Sequence, residues 1–228
     1  MKSGIVSSSS KSPPAIPWVI IVITFIAVLG MLMYMLITPM QQQAMIDVAG
    51  AVPADVAVML KQAPGEWLDF GLLALFTSLF VHASWLHLVG NLAYLWVFGL
   101  MVEQRLGSLF IIAVFFLGGA LAHIMVALRL PLFDTPVIGA SGAVSAVVGA
   151  YLGLFPYNRI GLFLPLGLYL QFARVPALLV IGSWFTLQLV YSAFGPITGA
   201  VAWWTHLAGF VMGLIFAMLA RALAQLRF

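Results

Sequence analysis

The sequence predicts an all-α, polytopic membrane protein of six helical spans, and three observations carry that expectation. Hydrophobic residues make up 64% of the 228 positions and charged residues only 7%, with a mean hydropathy of +1.16. A water-soluble fold has no interior large enough to hide that much apolar surface, so the expected solvent is lipid. The charges are also grouped: none falls between Lys11 and Asp47, from Phe70 to Val102, or from Val175 to Ala220. Finally, a helix rising 1.5 Å per residue needs about 20 residues to cross a hydrocarbon core of roughly 30 Å, and the uncharged stretches supply that length repeatedly.

Residues 1–16 are polar and serine-rich, which reads as a disordered cytoplasmic N-terminus, and residues 17–228 as one membrane domain. The apolar run at about 17–38 is too long for the apolar region of a cleavable signal peptide and is read as the first retained span. Residues 40–69 hold Asp47, Asp55, Lys61, Glu66 and Asp69 among prolines and glycines, and read as a long, partly structured loop or an interfacial segment. The uncharged run that follows divides into a loop-proximal apolar piece and a second span near 84–102. Arg105 and Arg129 bracket a third, about 107–128, and a glycine- and alanine-rich fourth covers about 137–155. The segment 158–174 is too short between its arginines, and too interrupted by Pro165, to cross again, so it lies at the interface. The motif "FGPITG" at 194–199 then splits the last uncharged run into spans at about 175–193 and 200–221.

Six spans put both termini on one side. Lys2, Lys11, Arg105, Arg159, Arg174, Arg221 and Arg227 fall on that side against Lys61 and Arg129 opposite, which makes the termini cytoplasmic. The net charge of +3 therefore reflects topology anchors at the ends of apolar segments, and no nucleic-acid partner is expected. Without cysteine there is no disulfide, thiolate metal site or cysteine nucleophile. No internal repeat is legible, and with no clear transit peptide the expected location is a bacterial inner membrane.

Spans two, four and six all begin on the outer side in this arrangement, and there the polar residues collect: His87 and Asn91, Ser141, and His206. Groups at that depth must face protein or a water-filled cavity, because lipid cannot satisfy them. Each has a bland reading. Ser141 sits among Gly139, Gly142, Ala143, Ala146 and Gly149, a spacing that commonly mediates close helix packing, and His206 or Asn91 alone can serve as interhelical glue. Together they permit more. A serine hydroxyl becomes a nucleophile when a neighbouring base accepts its proton, so Ser141 and His206 are a candidate dyad. His87 and Asn91, four residues apart on one helix face, are candidate donors to an oxyanion, as is the Ser141 amide near a helix N-terminus.

At this point the sequence resembles the rhomboid family of intramembrane serine proteases. The likeness runs through "HASWLHLVGNLAYLWVFG" (82–99), "FGLMVEQRLGS" (98–108), "GASG" (139–142) and "THLAGFVMG" (205–213), in the family's order and over about residues 66–221. It implies a six-transmembrane-helix rhomboid-like bundle in which Ser141 is the nucleophile, His206 the base, and His87 and Asn91 the oxyanion stabilisers. It further implies that His82 ties the long first loop to the core, and that small residues precede the cut. Glu103, at the cytoplasmic end of its span, reads as a hydrogen-bonding residue, while His123 matches no family motif and is left as structural. The sequence departs at Ser145, where the family often carries an aromatic ring that stacks on the catalytic histidine. Tyr151 lies too far along to substitute, so the imidazole must be oriented by some other neighbour.

Rival chemistries fit less well. A zinc protease wants histidines at i and i+4 with a glutamate between, whereas His82 and His87 are five apart with no acid between them. An aspartyl protease needs facing carboxylates inside the membrane, but Asp47, Asp55, Asp69 and Asp134 fall in loops. A transporter or channel would run polar groups through the full bilayer depth. The alternative within the same fold is a pseudoprotease, a scaffold that binds membrane proteins, which usually lacks the serine or histidine present here. The expected reaction is hydrolysis of a peptide bond in or beside a transmembrane segment, with the lipid bilayer and membrane-protein substrates as partners and no metal or organic cofactor. The substrate must unwind locally, which favours segments rich in poor helix formers, and the first loop and the final-span entrance are the candidate gates.

Overall fold

The computed structural model describes residues 16–68, 71–166, 169–194 and 197–223. The expected disorder at 1–15, Asp69, Arg227, and the Gly195 and Pro196 of the "FGPITG" break lie outside the described residues. The chain forms ten helices among these residues, α1 Trp18–Leu36, α2 Pro39–Ala49, α3 Pro53–Met59, α4 Ala74–Thr77, α5 Trp85–Tyr94, α6 Leu100–Leu106, α7 Ser108–Arg129, α8 Ser141–Leu154, α9 Ala177–Phe194 and α10 Ile197–Leu223, together with strands β1 Arg159–Leu166 and β2 Tyr169–Pro176. A π-turn at Leu95–Gly99 joins α5 to α6, giving one apolar helix Trp85–Leu106.

Local chemistry sets the boundaries. Pro17 precedes α1 without a side-chain cap, and the free first-turn amides are satisfied from elsewhere in the chain: Val19 N–H and Ile20 N–H donate to the two Glu103 carboxylate oxygens at 3.0 and 3.2 Å. Ser108 Oγ donates to the same carboxylate at 3.0 Å. The buried Glu103 thus binds the start of α1 to the α6–α7 corner, in keeping with the hydrogen-bonding role read from its position. That corner turns at Gly107, whose φ of +86° suits a residue without a Cβ. Helix α6 accordingly runs one turn beyond the expected boundary at residue 102. Thr38 and Gln41 form a reciprocal capping box that starts α2, with Pro39 at its first position. The loop at 40–69 is therefore ordered helix for much of its length, and α3 buries Val56, Ala57 and Met59 against Leu75 and the α7 residues Ala120 and Ala127.

Among the described residues four helices are long and apolar enough to cross a membrane: 18–36, 85–106, 108–129 and 203–223. Helices α8 and α9 are apolar but shorter, which leaves the expected count of six crossings coarser here as four long helices and two short ones. The 14 residues of α8 rise about 21 Å, less than a bilayer core. It can be short because protein, and not lipid, surrounds it: all but Ser141 and Leu152 are buried. Its first four expected residues, 137–140, lie outside the helix instead: Val137 pairs with Ala51, Gly139 takes a φ of +105°, and Ala140 is the N-cap. The segment expected as an interfacial stretch is an antiparallel hairpin running from Arg159↔Pro176 to Leu166↔Tyr169. Pro165, which lacks an amide donor and breaks a helix, is accommodated in an isolated two-stranded ribbon because its donor side can face outward.

Helix α8 is the axis of the core, packed between α7 and α10 with Val144, Val147, Val148, Ala150 and Leu154 among its buried residues. Small residues set its distance from both neighbours. A Cβ on Gly209 would fall on the Gly142 carbonyl, one on Gly213 on the Ala146 carbonyl, and one on Gly149 on the Phe210 carbonyl. On the other flank a Cβ at Gly118 would lie 2.5 Å from the Ala146 side chain. These backbones are in direct contact, the geometry that packing in lipid favours in the absence of a hydrophobic driving force. The outer faces carry large exposed apolar side chains such as Phe25, Met33, Leu109 and Met218, as lipid contact requires.

Gly213→Ala is expected to destabilise the protein by about 1–3 kcal/mol, because the methyl group has only backbone to displace. Gly182→Ala, where nothing lies within 4 Å, is expected to melt at or above the wild-type temperature in the same detergent.

Candidate active site

Ser141 is the first residue of α8, and the strand-like approach to it is pinned at each step. Val137 exchanges backbone hydrogen bonds with Ala51 at 2.9 and 3.0 Å, Gly139 N–H donates to the Ser78 carbonyl at 2.8 Å, and Ala140 N–H donates to His82 Nε2 at 3.4 Å. The first intrahelical bond is Val144 N–H to Ala140 O at 2.8 Å. The amides of residues 141–143 are therefore beyond the reach of the helix ladder, and the positive end of the helix dipole sits at Ser141.

His82 is fully buried and couples the first loop to this turn. Burial, and after it the neighbouring His87, push its imidazole down to about 4, so it is neutral and able to accept from Ala140. The His87 ring lies edge-on to His82, with centroids 5.1 Å apart. It also rests directly on Gly139: a Cβ there would come within 2.5 Å of His87 Cε1 and 2.6 Å of Nε2. The Gly139 position thus requires glycine twice, once for its φ and once for the imidazole. Ser84 caps α5, accepting from His87 N–H at 3.2 Å, and Asn91 follows His87 by one turn. Asn91 is buried, and its Nδ2 has no hydrogen-bond partner among the described residues.

These elements enclose a cavity of about 290 Å³ lined by His87, Asn91, Ser141, Ser145, Trp184 and His206, with Leu86, Gly90, Tyr94, Val144 and Val148 completing it. All four residues singled out from the sequence for chemistry share that lining, although they come from α5, α8 and α10. A larger hollow of about 380 Å³ lies among the loop helices around Asp47 and Asp55, without histidine or serine in its lining.

The setting of His206 contains three residues that the sequence reading passed over. Gln188 Oε1 lies 3.0 Å from His206 Nδ1, and the Trp184 ring centroid lies 6.3 Å from the imidazole. Trp203 presents an edge from the other side at 6.2 Å. Trp184 and Gln188 are one turn apart on α9, and a glutamine in an uncharged apolar helix was a legible sign of a buried partner. Ser145 does not approach the ring through its hydroxyl; Oγ donates back to the Ser141 carbonyl at 2.7 Å, a common recourse for serine within a helix. Tyr151 packs on Phe98 and Phe155.

A second serine–histidine pair was also missed. Ser78 Oγ and His123 Nε2 lie 3.1 Å apart, both buried, and neither lines the Ser141 cavity. The pair joins the first loop to α7, consistent with the structural reading of His123.

A helical membrane protein with serine, imidazole and carboxamide groups around one hydrated-sized hollow is the class these features define. A family model described as a rhomboid domain matches residues 69–223, and the chain belongs to the rhomboid family. It is 31% identical over 153 residues to the protein named Rhomboid protease GlpG of Salmonella paratyphi A, covering 66% of this chain and 49% of that protein. It is 28% identical over 153 residues to "Rhomboid protein 1, mitochondrial" of Saccharomyces cerevisiae, covering 63% of this chain and 40% of that one. The matched region thus spans less than half the length of either relative.

Gly139→Ala is expected to cost about 1–3 kcal/mol from backbone strain alone, with a further loss from the His87 contact. Adding His87→Ala should return the second part and not the first, which a double-mutant cycle of thermal unfolding in detergent measures.

Proposed function

We propose that this protein is an intramembrane serine endopeptidase that cleaves membrane-protein substrates in or near their transmembrane segments, using Ser141 as nucleophile and His206 as general base. The observation that carries the proposal is the shared cavity: Ser141 and His206, from separate helices, line one hollow with the unpaired amide of Asn91. Family membership and the relative named a rhomboid protease support it.

In this mechanism Ser141 Oγ attacks the scissile carbonyl carbon while its proton passes to His206 Nε2. The negative charge that gathers on the carbonyl oxygen is met by Asn91 Nδ2–H, the His87 imidazole and the Ser141 amide at the positive end of α8. Collapse of the tetrahedral intermediate breaks the carbon–nitrogen bond, and His206 delivers the proton to the departing amine. Water then hydrolyses the Ser141 ester, giving a proton to His206 and returning one to Oγ. The chemistry draws on protein groups and water throughout. A substrate helix hides its carbonyls in its own hydrogen bonds, so segments weakened by glycine, proline or other poor helix formers are the preferred targets.

The proposal includes six membrane crossings, cytoplasmic termini from the bias of Lys and Arg toward one side, and residence in a bacterial inner membrane, which the bacterial relative supports. Because the sequence has no cysteine, single substitutions report sidedness cleanly. Lys61→Cys is expected to react with a membrane-impermeant maleimide in intact cells, and Arg159→Cys only after lysis; the reverse pattern refutes the orientation.

Purified protein in liposomes is expected to cleave a transmembrane reporter, and Ser141→Ala and His206→Ala should each lose about a thousandfold or more. Asn91→Ala should lose about 10²–10³-fold, the usual consequence of removing an oxyanion donor. A fluorophosphonate probe should label Ser141 in the wild type and fail in the His206 variant. Equal cleavage by wild type, Ser141→Ala and His206→Ala would leave a binding scaffold as the better account.

A further inference from the structure

We infer that Gln188 is the positioning residue for His206: its side-chain carbonyl holds the proton on Nδ1 and so keeps Nε2 bare to receive the Ser141 proton. The inference rests on the proteolytic reading above and adds to it the group that sets the tautomer of the base.

A carbonyl oxygen has lone pairs and no hydrogen, so a bond between Gln188 Oε1 and His206 Nδ1 at 3.0 Å has one polarity: Nδ1–H donates and Oε1 accepts. A neutral imidazole carries one ring proton. Fixing it on Nδ1 leaves the lone pair on Nε2, the nitrogen a base needs. Free in water, imidazole favours neither arrangement strongly enough to serve, and a ring with its proton on Nε2 cannot accept from a hydroxyl there.

Gln188 is suited to the task by its surroundings. It is buried, 6% exposed, and its oxygen meets the His206 ring, while Trp203 is stacked on Tyr191 with centroids 4.9 Å apart. A glutamine on an apolar helix is expensive to bury without a partner, and His206 offers one at the depth where both lie. Trp184, one turn before Gln188 on the same face of α9, and Trp203 on α10 flank the imidazole at 6.3 and 6.2 Å and restrict its rotation. The bond fixes which nitrogen is protonated, and the indoles fix which way the ring faces. Both are supplied by α9 and α10 without any contribution from Ser145, whose hydroxyl is engaged with the Ser141 carbonyl.

Gln188→Leu removes the acceptor at nearly constant volume, and Gln188→Glu keeps one. With the transmembrane reporter in liposomes, Gln188→Leu is expected to lower kcat about tenfold to a hundredfold while leaving KM within about twofold of the wild type, and Gln188→Glu to recover most of the loss. In nitrogen-15 histidine spectra, with the His206 signal assigned by its absence in His206→Ala, the wild type should show a protonated Nδ1 and a bare Nε2, and Gln188→Leu a shift of the proton toward Nε2. Wild-type kcat in Gln188→Leu, no recovery in Gln188→Glu, or a wild-type His206 protonated on Nε2 would each overturn the inference. If Gln188→Leu does not fold, the wild-type spectrum alone decides it. Full cleavage by Ser141→Ala in the same assay would overturn the proteolytic reading instead, whatever the tautomer of His206.

Discussion

Contact between the backbones of α8 and α10 is the constraint on which the rest of the architecture depends. Gly209 lies on the Gly142 carbonyl, Gly213 on the Ala146 carbonyl and Gly149 on that of Phe210. The three contacts recur at close to one helical turn, so the two axes stay near each other over about two turns. Ser141 opens α8 just before Gly142, and His206 precedes Gly209 on α10. A helix pair held by its carbonyls and α-carbons therefore carries the serine and the histidine to the rim of one cavity. Larger residues at any of these glycines would separate the backbones and the two side chains with them.

The close contact also resolves how a 14-residue helix can live inside a membrane protein. Lipid imposes a minimum length on a helix because exposed backbone ends in hydrocarbon find no partners. Helix α8 is surrounded by α7, α10 and the π-turned α5–α6 helix, so its N-terminal end opens at the cavity that Ser141 lines instead of into acyl chains. The loop helices complete the arrangement. Ala51, Ser78 and His82 take the amides of Val137, Gly139 and Ala140, which delays the start of α8 until Ser141. The same first loop is anchored to α7 by Ser78 and His123. Segments that look like connections in the sequence are thus the elements that place the first residue of α8.

At the opposite end of the α5–α6 helix, Glu103 answers a related problem. Pro17 cannot cap α1 with its side chain, and the carboxylate of Glu103 takes over from a distant part of the chain, accepting from Val19 and Ile20 while also holding Ser108. One buried acid thereby joins three helix ends, which gives a physical reason for a charge at the limit of an otherwise apolar helix. The candidate site and the structural anchor are separated along the bundle: imidazoles, hydroxyl and carboxamide collect where α8 begins, and the carboxylate where α1 begins.

Much of this was legible without coordinates. The apolar runs at 17–38 and 107–128 became α1 and α7 within a residue or two, since hydropathy over twenty positions is a local property that lipid reads directly. The motif residues His87, Asn91, Ser141 and His206 could be picked out because polar groups are rare and costly in such runs. The start of α8 was placed four residues early, because the pull of Ala51 and His82 on residues 137–140 is tertiary and leaves no periodic trace. The hairpin at 159–176 read only as an interfacial segment, because strand pairing is decided between segments. Gln188 and Ser78 were overlooked for the same reason: each is an ordinary polar residue until its partner, His206 or His123, is seen beside it. Sequence by itself determined the solvent, the helical class and the stock of reactive groups, since these follow from the chemistry of single residues and their spacing. Only the tertiary structure decided which groups face one another, because hydrogen-bond partners and cavity walls come from helices far apart in the chain.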